Sequence, residues 1–261
     1  MKSLFVTLWL SLTATMSYAQ STQLHSLDSI NQARQWASVG RLSFGQGSGF
    51  CTATLIDFDL VLTAAHCLYD AKTGKPFPTN SFEFQAGWRN GRAEAYRNIR
   101  EARPDPDYRF DNAVSIERIK NDIALVRLDH AIKNPLIQPL SISTLPEAGQ
   151  TVGVISYARG RMNAPSIQDT CVVTARQEGV LIMTCDVDYG ASGSPVFIEG
   201  EDGVMIVSVV SAMAEMGGKK VSLGTSLLDA ITQINARMSP TDELNDESMR
   251  RRNTGAKFVR P

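Results

Sequence analysis

Three short stretches hold residue types that together could cut an amide bond. Leu62-Thr63-Ala64-Ala65-His66-Cys67 runs an apolar segment through small residues into a histidine. Asn121-Asp122-Ile123-Ala124-Leu125 sets an acid at the head of an apolar run. Gly190-Ala191-Ser192-Gly193-Ser194-Pro195 places a serine between glycines and ahead of a proline. Serine-based hydrolysis needs a hydroxyl, a base beside it, a group that fixes the base, and donors for the developing oxyanion. Each has a candidate here: Ser192, His66, Asp122, and the backbone N–H groups of the glycine-rich turn. Singly, each stretch also has an ordinary structural reading, as a hairpin loop, a packed histidine or a turn aspartate. Of the three histidines, His25 lies in a polar segment and His130 follows a charged run, so His66 alone has an apolar setting.

The elements that must position these residues read as strands. Short β-type runs recur from Val39 onward, among them FCTATLI, LVLTAA, FEFQAGW, IALVRL, TVGVISY, GVLIMTC, SPVFIEG and VMIVSVVSAM, with Gly, Pro, Asn and Asp between them. Such spacing predicts an all-β antiparallel sandwich or barrel and argues against a parallel α/β sheet. One helical pattern stands out, at Leu227, Leu228, Ile231, Ile234 and Met238, with Ser226 and Asp229 spaced as a capping box.

Taken in the order His, Asp, Ser, the motifs TAAHC, NDIAL and GASGSP resemble those of the chymotrypsin/trypsin-like serine proteases. The resemblance runs from about Val39 to Met238, and GxSGSP is most similar to the bacterial secreted trypsin-like and glutamyl-endopeptidase-like branch. It implies an all-β fold of two six-stranded antiparallel barrels with a C-terminal helix. It further implies a serine endopeptidase acting on polypeptides through an acyl-enzyme, with Ser192 as nucleophile, His66 as general base and then acid, and Asp122 orienting the imidazole. The oxyanion hole would be the N–H groups of Gly190 and Ser192. Substrate would be lined by Ser211, Met213 and Asp186, the last at the offset where trypsin-like enzymes carry the acid that binds Lys or Arg. Cys51 and Cys67 match the family disulfide beside the histidine. The alternative is a catalytically silent homologue that binds a partner through the same cleft. A serine esterase of the α/β-hydrolase type is disfavoured by the order of the residues and the lack of alternating helices.

Two departures stand out. The animal enzymes carry Asp before the nucleophile, paired with a newly cut amino terminus, and this chain has Ala191. In place of Ile-Val-Gly-Gly it offers Ala37-Ser38-Val39-Gly40. Competence without that activation cleavage is expected.

Lys2, the apolar stretch Leu4 to Leu12 and Ser17-Tyr18-Ala19 read as an export signal cleaved after residue 19. Residues 20–36 read as a leader, propeptide or ordered arm, 37–238 as the protease domain, and 239–261 as a disordered polar tail. The expected location is secreted or periplasmic, without a membrane anchor. In that oxidising setting the four cysteines read first as disulfides. The pairs Cys51 with Cys67 and Cys171 with Cys185 are expected, since each brackets a strand-like run and its neighbour. A zinc site is the rival, weakened by three histidines and the lack of a Cys-x-x-Cys. No metal or other cofactor is expected. A net charge of -1 and a pI near 6.3 give no basic field for nucleic acid. A monomer is expected.

Overall fold

The computed structural model describes residues 23–45, 47–111, 115–201 and 203–239. The predicted signal and nearly all of the predicted tail lie outside the described residues. The described chain opens with strand β1 (His25–Ser26) and helix α1 (Ile30–Arg34). Six strands then form a closed barrel: β2 (Val39–Phe44), β3 (Gly49–Asp57), β4 (Leu60–Thr63), β5 (Glu83–Ala86), β6 (Ala95–Pro104) and, after helix α2 (Ile116–Lys120), β7 (Ala124–Leu128). The order round the barrel is β2-β3-β4-β7-β6-β5, every pairing antiparallel.

The second half holds β8 (Ser141–Ile142), β9 (Thr151–Ala158), β10 (Arg161–Gln177), β11 (Val180–Met183), β12 (Pro195–Gly200), β13 (Gly203–Met216) and β14 (Lys219–Thr225). Its pairings also return on themselves, because β9 is bonded to β12 on one side and to β10 on the other. β1 adds to β10, and β8 runs parallel to β13. Helix α3 (Leu228–Asn235) follows. The expected all-β architecture is the one observed, with two short helices that the pattern did not predict.

Strand alternation explains where the cores sit. Leu42, Ala53, Leu55, Phe84, Ala86, Val126 and Leu128 fill the first barrel, and Val152, Val154, Val173, Leu181, Met183 and Val196 the second. The opposite faces are buried too, where the halves meet. Leu60, Leu62, Ile123 and Leu125 pack there with Ile206, Val209, Leu227 and Ile234. Arg127, buried on β7, reaches Asp59 at 3.1 and 3.3 Å and Asn235 of α3 at 2.9 Å, tying the helix to the first barrel. The capping box does not form. Leu227 holds the cap position without a side-chain bond, because its burial between the barrels fixes the chain just ahead of the first turn.

The stretch 20–36, read above as leader, propeptide or arm, is anchored in its described part at Leu27 and Trp36. Leu27 N–H bonds Pro165 O at 2.8 Å, and Trp36 lies 4.6 Å from the Phe197 ring between the halves. Leu27 and Trp36 are both buried, and full burial of a large apolar side chain is worth roughly 1.5–3 kcal/mol.

Candidate active site

β4 is buried along its whole length and delivers the chain through buried Ala64 and Ala65 into a single 3₁₀ turn at Ala65–Leu68. Small residues let that turn pack flush on the barrel, and the Cys51–Cys67 disulfide ties it to β3. His66 is thus carried on a stiff backbone. Asp122 arrives from the other direction. Helix α2 is capped by Ser115, its buried Ile119 docks it, and Asp122 N–H closes the turn on Ile119 O at 3.1 Å.

The two side chains meet. His66 Nδ1 lies 2.7 Å from Asp122 Oδ2, and the His66 backbone N–H donates to Oδ1 at 2.8 Å. Ser211 Oγ also donates to Oδ2. The Asp122 side chain is fully buried and that of His66 is 20% exposed. Burial alone would raise the Asp122 carboxyl, but the facing His66 charge and the bonds from His66 and Ser211 outweigh it and hold it below the ordinary carboxylate value. An ionised carboxylate only accepts, so Nδ1 carries the proton and Nε2 presents its lone pair.

The serine loop is built from backbone. Gly193 has φ +75°, and a Cβ there would lie 2.2 Å from Thr63 Oγ1 and 2.4 Å from Thr52 O, so only glycine fits both the conformation and the space. That contact sets Ser192 against the strand that leads into His66. Gly193 N–H donates to Val210 O at 2.8 Å and Val210 N–H to Ser194 O at 2.9 Å, while the next residue, Ser211, holds Asp122. One stretch of β13 therefore indexes both the loop and the acid.

Thr52 of β3 grips the loop from the first barrel. Its N–H donates to Ser192 O at 2.9 Å and to Gly190 O at 3.2 Å. Its hydroxyl donates to Gly190 O at 2.9 Å and accepts from Tyr157 N–H at 3.0 Å. With these carbonyls held, the N–H groups of Gly190 and Ser192 donate to no oxygen of the described residues, whereas those of Ala191, Gly193 and Ser194 are all bonded. Ser192 is half-buried, and its Oγ makes no hydrogen bond with His66 or any other described residue. Ala191, 1% exposed, packs among Val152, Val154, Val196 and Val210.

The residues expected to line the substrate separate. Ser211 sits at Asp122, and Met213, 40% exposed, follows it on β13. Asp186 is exposed, and its N–H donates to Gln168 Oε1 at 2.7 Å. Half-buried Arg161 stands near it: burial lowers the Arg161 guanidinium, and the charges of Asp186 and Asp188 pull the other way. Cys171 and Cys185 form the second disulfide. Among the described residues, one His/Cys/Asp/Glu group is tight enough for a metal, Cys51, His66 and Cys67, but its two sulfurs are bonded to each other.

Sequence reasoning did not single out Thr52 or Arg161. Thr52 left one faint signal, a polar residue on the alternate face of CTATLI. Arg161 left none, because its partners are set by the fold.

A buried carboxylate, an imidazole and a glycine-framed serine between two antiparallel barrels define the serine-protease class of architecture. The trypsin family model matches residues 29–227, and the chain belongs to that family. It is 31% identical over 102 residues to the modular serine protease of Drosophila melanogaster, covering 36% of this chain and 15% of that protein. It is 30% identical over 130 residues to the platelet-aggregating proteinase PA-BJ of Bothrops jararaca, covering 49% of each. The chain thus spans less than half the length of either relative. Its fold resembles that of a Glu endopeptidase solved in complex with MPD, with a TM-score of 0.66 and 21% identity, covering 82% of this chain and 95% of that one.

Proposed function

We propose that the chain is an exported serine endopeptidase working through Ser192, His66 and Asp122. The observation that carries the reading is the pairing of His66 on a buried Asp122 carboxylate with a loop whose Gly190 and Ser192 amides are unbonded among the described residues while their carbonyls are pinned by Thr52. His66 Nε2 takes the Ser192 proton as Oγ attacks a peptide carbonyl, and the two amides stabilise the tetrahedral oxyanion. His66 then returns the proton to the leaving amine, and water repeats the sequence on the acyl-enzyme. A single oxyanion donor is worth about 3 kcal/mol in such a transition state.

The same features support competence without an inserted amino terminus. Ala191 is seated in an apolar cluster that offers an ion pair nothing, and the loop is held from Thr52 instead. Two disulfides support export to an oxidising compartment, periplasmic or extracellular, after removal of residues 1–19. Exposure of Asp186 and its sharing of a field with Arg161 speak against a strong Lys or Arg preference. No cofactor is required by this chemistry, and the working unit is taken as a monomer acting on polypeptides.

One observation favours a second reading, a silent homologue that binds through the cleft: Ser192 Oγ is not bonded to His66. Stoichiometric labelling by a fluorophosphonate, lost in Ser192→Ala, is the expected result, together with casein cleavage by the wild type alone. A folded wild-type protein that takes up no label would leave the binding reading standing and sink the proteolytic one.

A further inference from the structure

Arg41 lies on the face of β2 that looks toward the second half of the molecule. Its cross-strand partners are Thr52 and Gln85, and directly paired residues share a face. Thr52 is the residue that clamps the serine loop. The guanidinium carbon of Arg41 sits 4.2 Å from the centre of the Phe50 ring and 4.6 Å from that of Trp88. Phe50 in turn packs on Gly190, where a Cβ would come within 3.1 Å of the ring. Trp88 is fixed between the halves, its ring N–H donating to Met162 O at 3.2 Å and its carbonyl accepting from Tyr157 OH at 2.7 Å. One aromatic ring therefore separates the Arg41 charge from the loop that would hold the oxyanion.

Among the described residues this cation has no counter-charge. Arg41 makes no hydrogen bond or ion pair with the described residues, and its Nε is buried without a partner. Asp186 and Asp188 act on Arg161, whereas the one group that pulls on Arg41 is Tyr157. A half-buried charge without a partner is costly, and a carboxylate ligand would offset that cost. With the guanidinium stacked on two aromatic rings and its Nε buried, its two terminal nitrogens are left for a two-point bond to a carboxylate. Arg159, stacked at 4.5 Å over Tyr189, the residue before Gly190, adds a second positive charge.

The chemistry says which end of a substrate would meet Arg41. The leaving amine must lie within reach of His66, which protonates it. From His66 the chain connects through Cys67 and its buried disulfide partner Cys51 to Phe50, on which Arg41 stacks, whereas Ser211 and Met213 lie on β13. We propose that Arg41, stacked on Phe50 and Trp88, anchors a carboxylate-binding subsite on the leaving-group side, so that the protein favours polypeptides with an acidic group within the first three residues after the cleaved bond. This rests on the proteolytic reading for its orientation, but the binding it claims does not require turnover.

The test is equilibrium binding of matched peptides to the full chain carrying Ser192→Ala. The peptides share their acyl half and carry Glu, Gln or Lys in turn at each of the first three leaving-side positions, with free or amidated C-termini. Glu is expected to bind about tenfold more tightly than Gln at one position, the size of a charge-assisted pair. In Ser192→Ala/Arg41→Met, where the thioether can still fill the space between the rings, the preference should fall within about twofold, while Arg41→Lys retains part of it. Preference kept in amidated peptides assigns the carboxylate to a side chain, and preference confined to free acids assigns it to the chain terminus. Equal binding of Glu and Gln, absence of peptide binding, or a preference that survives Arg41→Met in folded protein overturns the proposal. Failure of the wild type to take up a fluorophosphonate would be a separate result against the proteolytic reading and would leave the binding comparison readable.

Discussion

The two halves of the candidate site are held by different forces. In the first barrel, His66 and Asp122 are fixed by side-chain bonds and charge: a buried carboxylate receives the imidazole, a backbone N–H and the Ser211 hydroxyl. In the second half, the Ser192 loop is fixed by main-chain bonds to Thr52 and Val210, by glycine at positions without room for a Cβ, and by apolar packing under Ala191. The charged half fixes the orientation of an imidazole, and the backbone half leaves two N–H groups without an acceptor among the described residues. Substitutions in the first should act through tautomer and charge, and those in the second through loop geometry.

The largest effect expected from this contrast is at Asp122. Asp122→Asn keeps the shape but can offer an N–H to His66, reversing the tautomer, and kcat should fall about 10⁴-fold, as such replacements do. The same substitution has a stability signature. The Asp122 carboxyl is held below its ordinary value, so it contributes stability above the unfolded value of about 3.9 that is lost as pH falls through the still lower folded one. In a Ser192→Ala background, which prevents self-digestion, the difference in urea midpoint between proteins with and without Asp122→Asn should be constant near neutrality and shrink below about pH 4. A pH-independent difference would mean that shape, not charge, sets the Asp122 contribution.

Next in size is Ala191→Asp, which installs the acid of the animal enzymes. Ala191 is buried among valines, and a carboxylate there without a cation should cost about 3–5 kcal/mol. Thermal unfolding of the Ser192→Ala protein with and without the change measures it. A neutral or stabilising outcome would reveal an unsuspected cation within reach and break the contrast drawn between the halves.

Much of this division was legible in the sequence, for a physical reason. Residue types that carry charge or nucleophilicity are scarce in apolar strands, so His66, Asp122 and Ser192 stand out against TAA, IAL and GAS-GSP. Short β-type runs between turn residues likewise pointed to an antiparallel sandwich or barrel, the family resemblance narrowed this to two barrels, and the bracketing of strand pairs by Cys51, Cys67, Cys171 and Cys185 anticipated both disulfides. What the sequence concealed are contacts made across the fold. Thr52 and Gly190 are far apart in the chain, and a threonine in a β-strand ordinarily signifies only strand propensity. Arg41 reads as a surface cation until Phe50 and Trp88 are seen to hold it. The packing of Trp36 against Phe197 was hidden for the same reason, since a tryptophan at the end of a polar stretch names no partner.

The smallest effect separates clamp from chemistry. Thr52→Val keeps the volume of the side chain and its N–H bonds but deletes the hydroxyl that links Tyr157 N–H to Gly190 O. One buried hydrogen bond is worth about 1 kcal/mol net, with a further penalty for the unpaired groups left behind. If the hydroxyl serves to hold the Gly190 amide on the oxyanion, the loss should appear as a roughly tenfold fall in kcat with KM little changed, because the donor acts on the transition state and not on the bound peptide. Thr52→Ser, which restores the hydroxyl on a smaller side chain, should recover most of that kcat even if its melting temperature stays low. A merely structural threonine would give the opposite pattern, with kcat unchanged in both variants and stability following the lost packing. Rescue of rate independently of stability would make Thr52 a positioning residue.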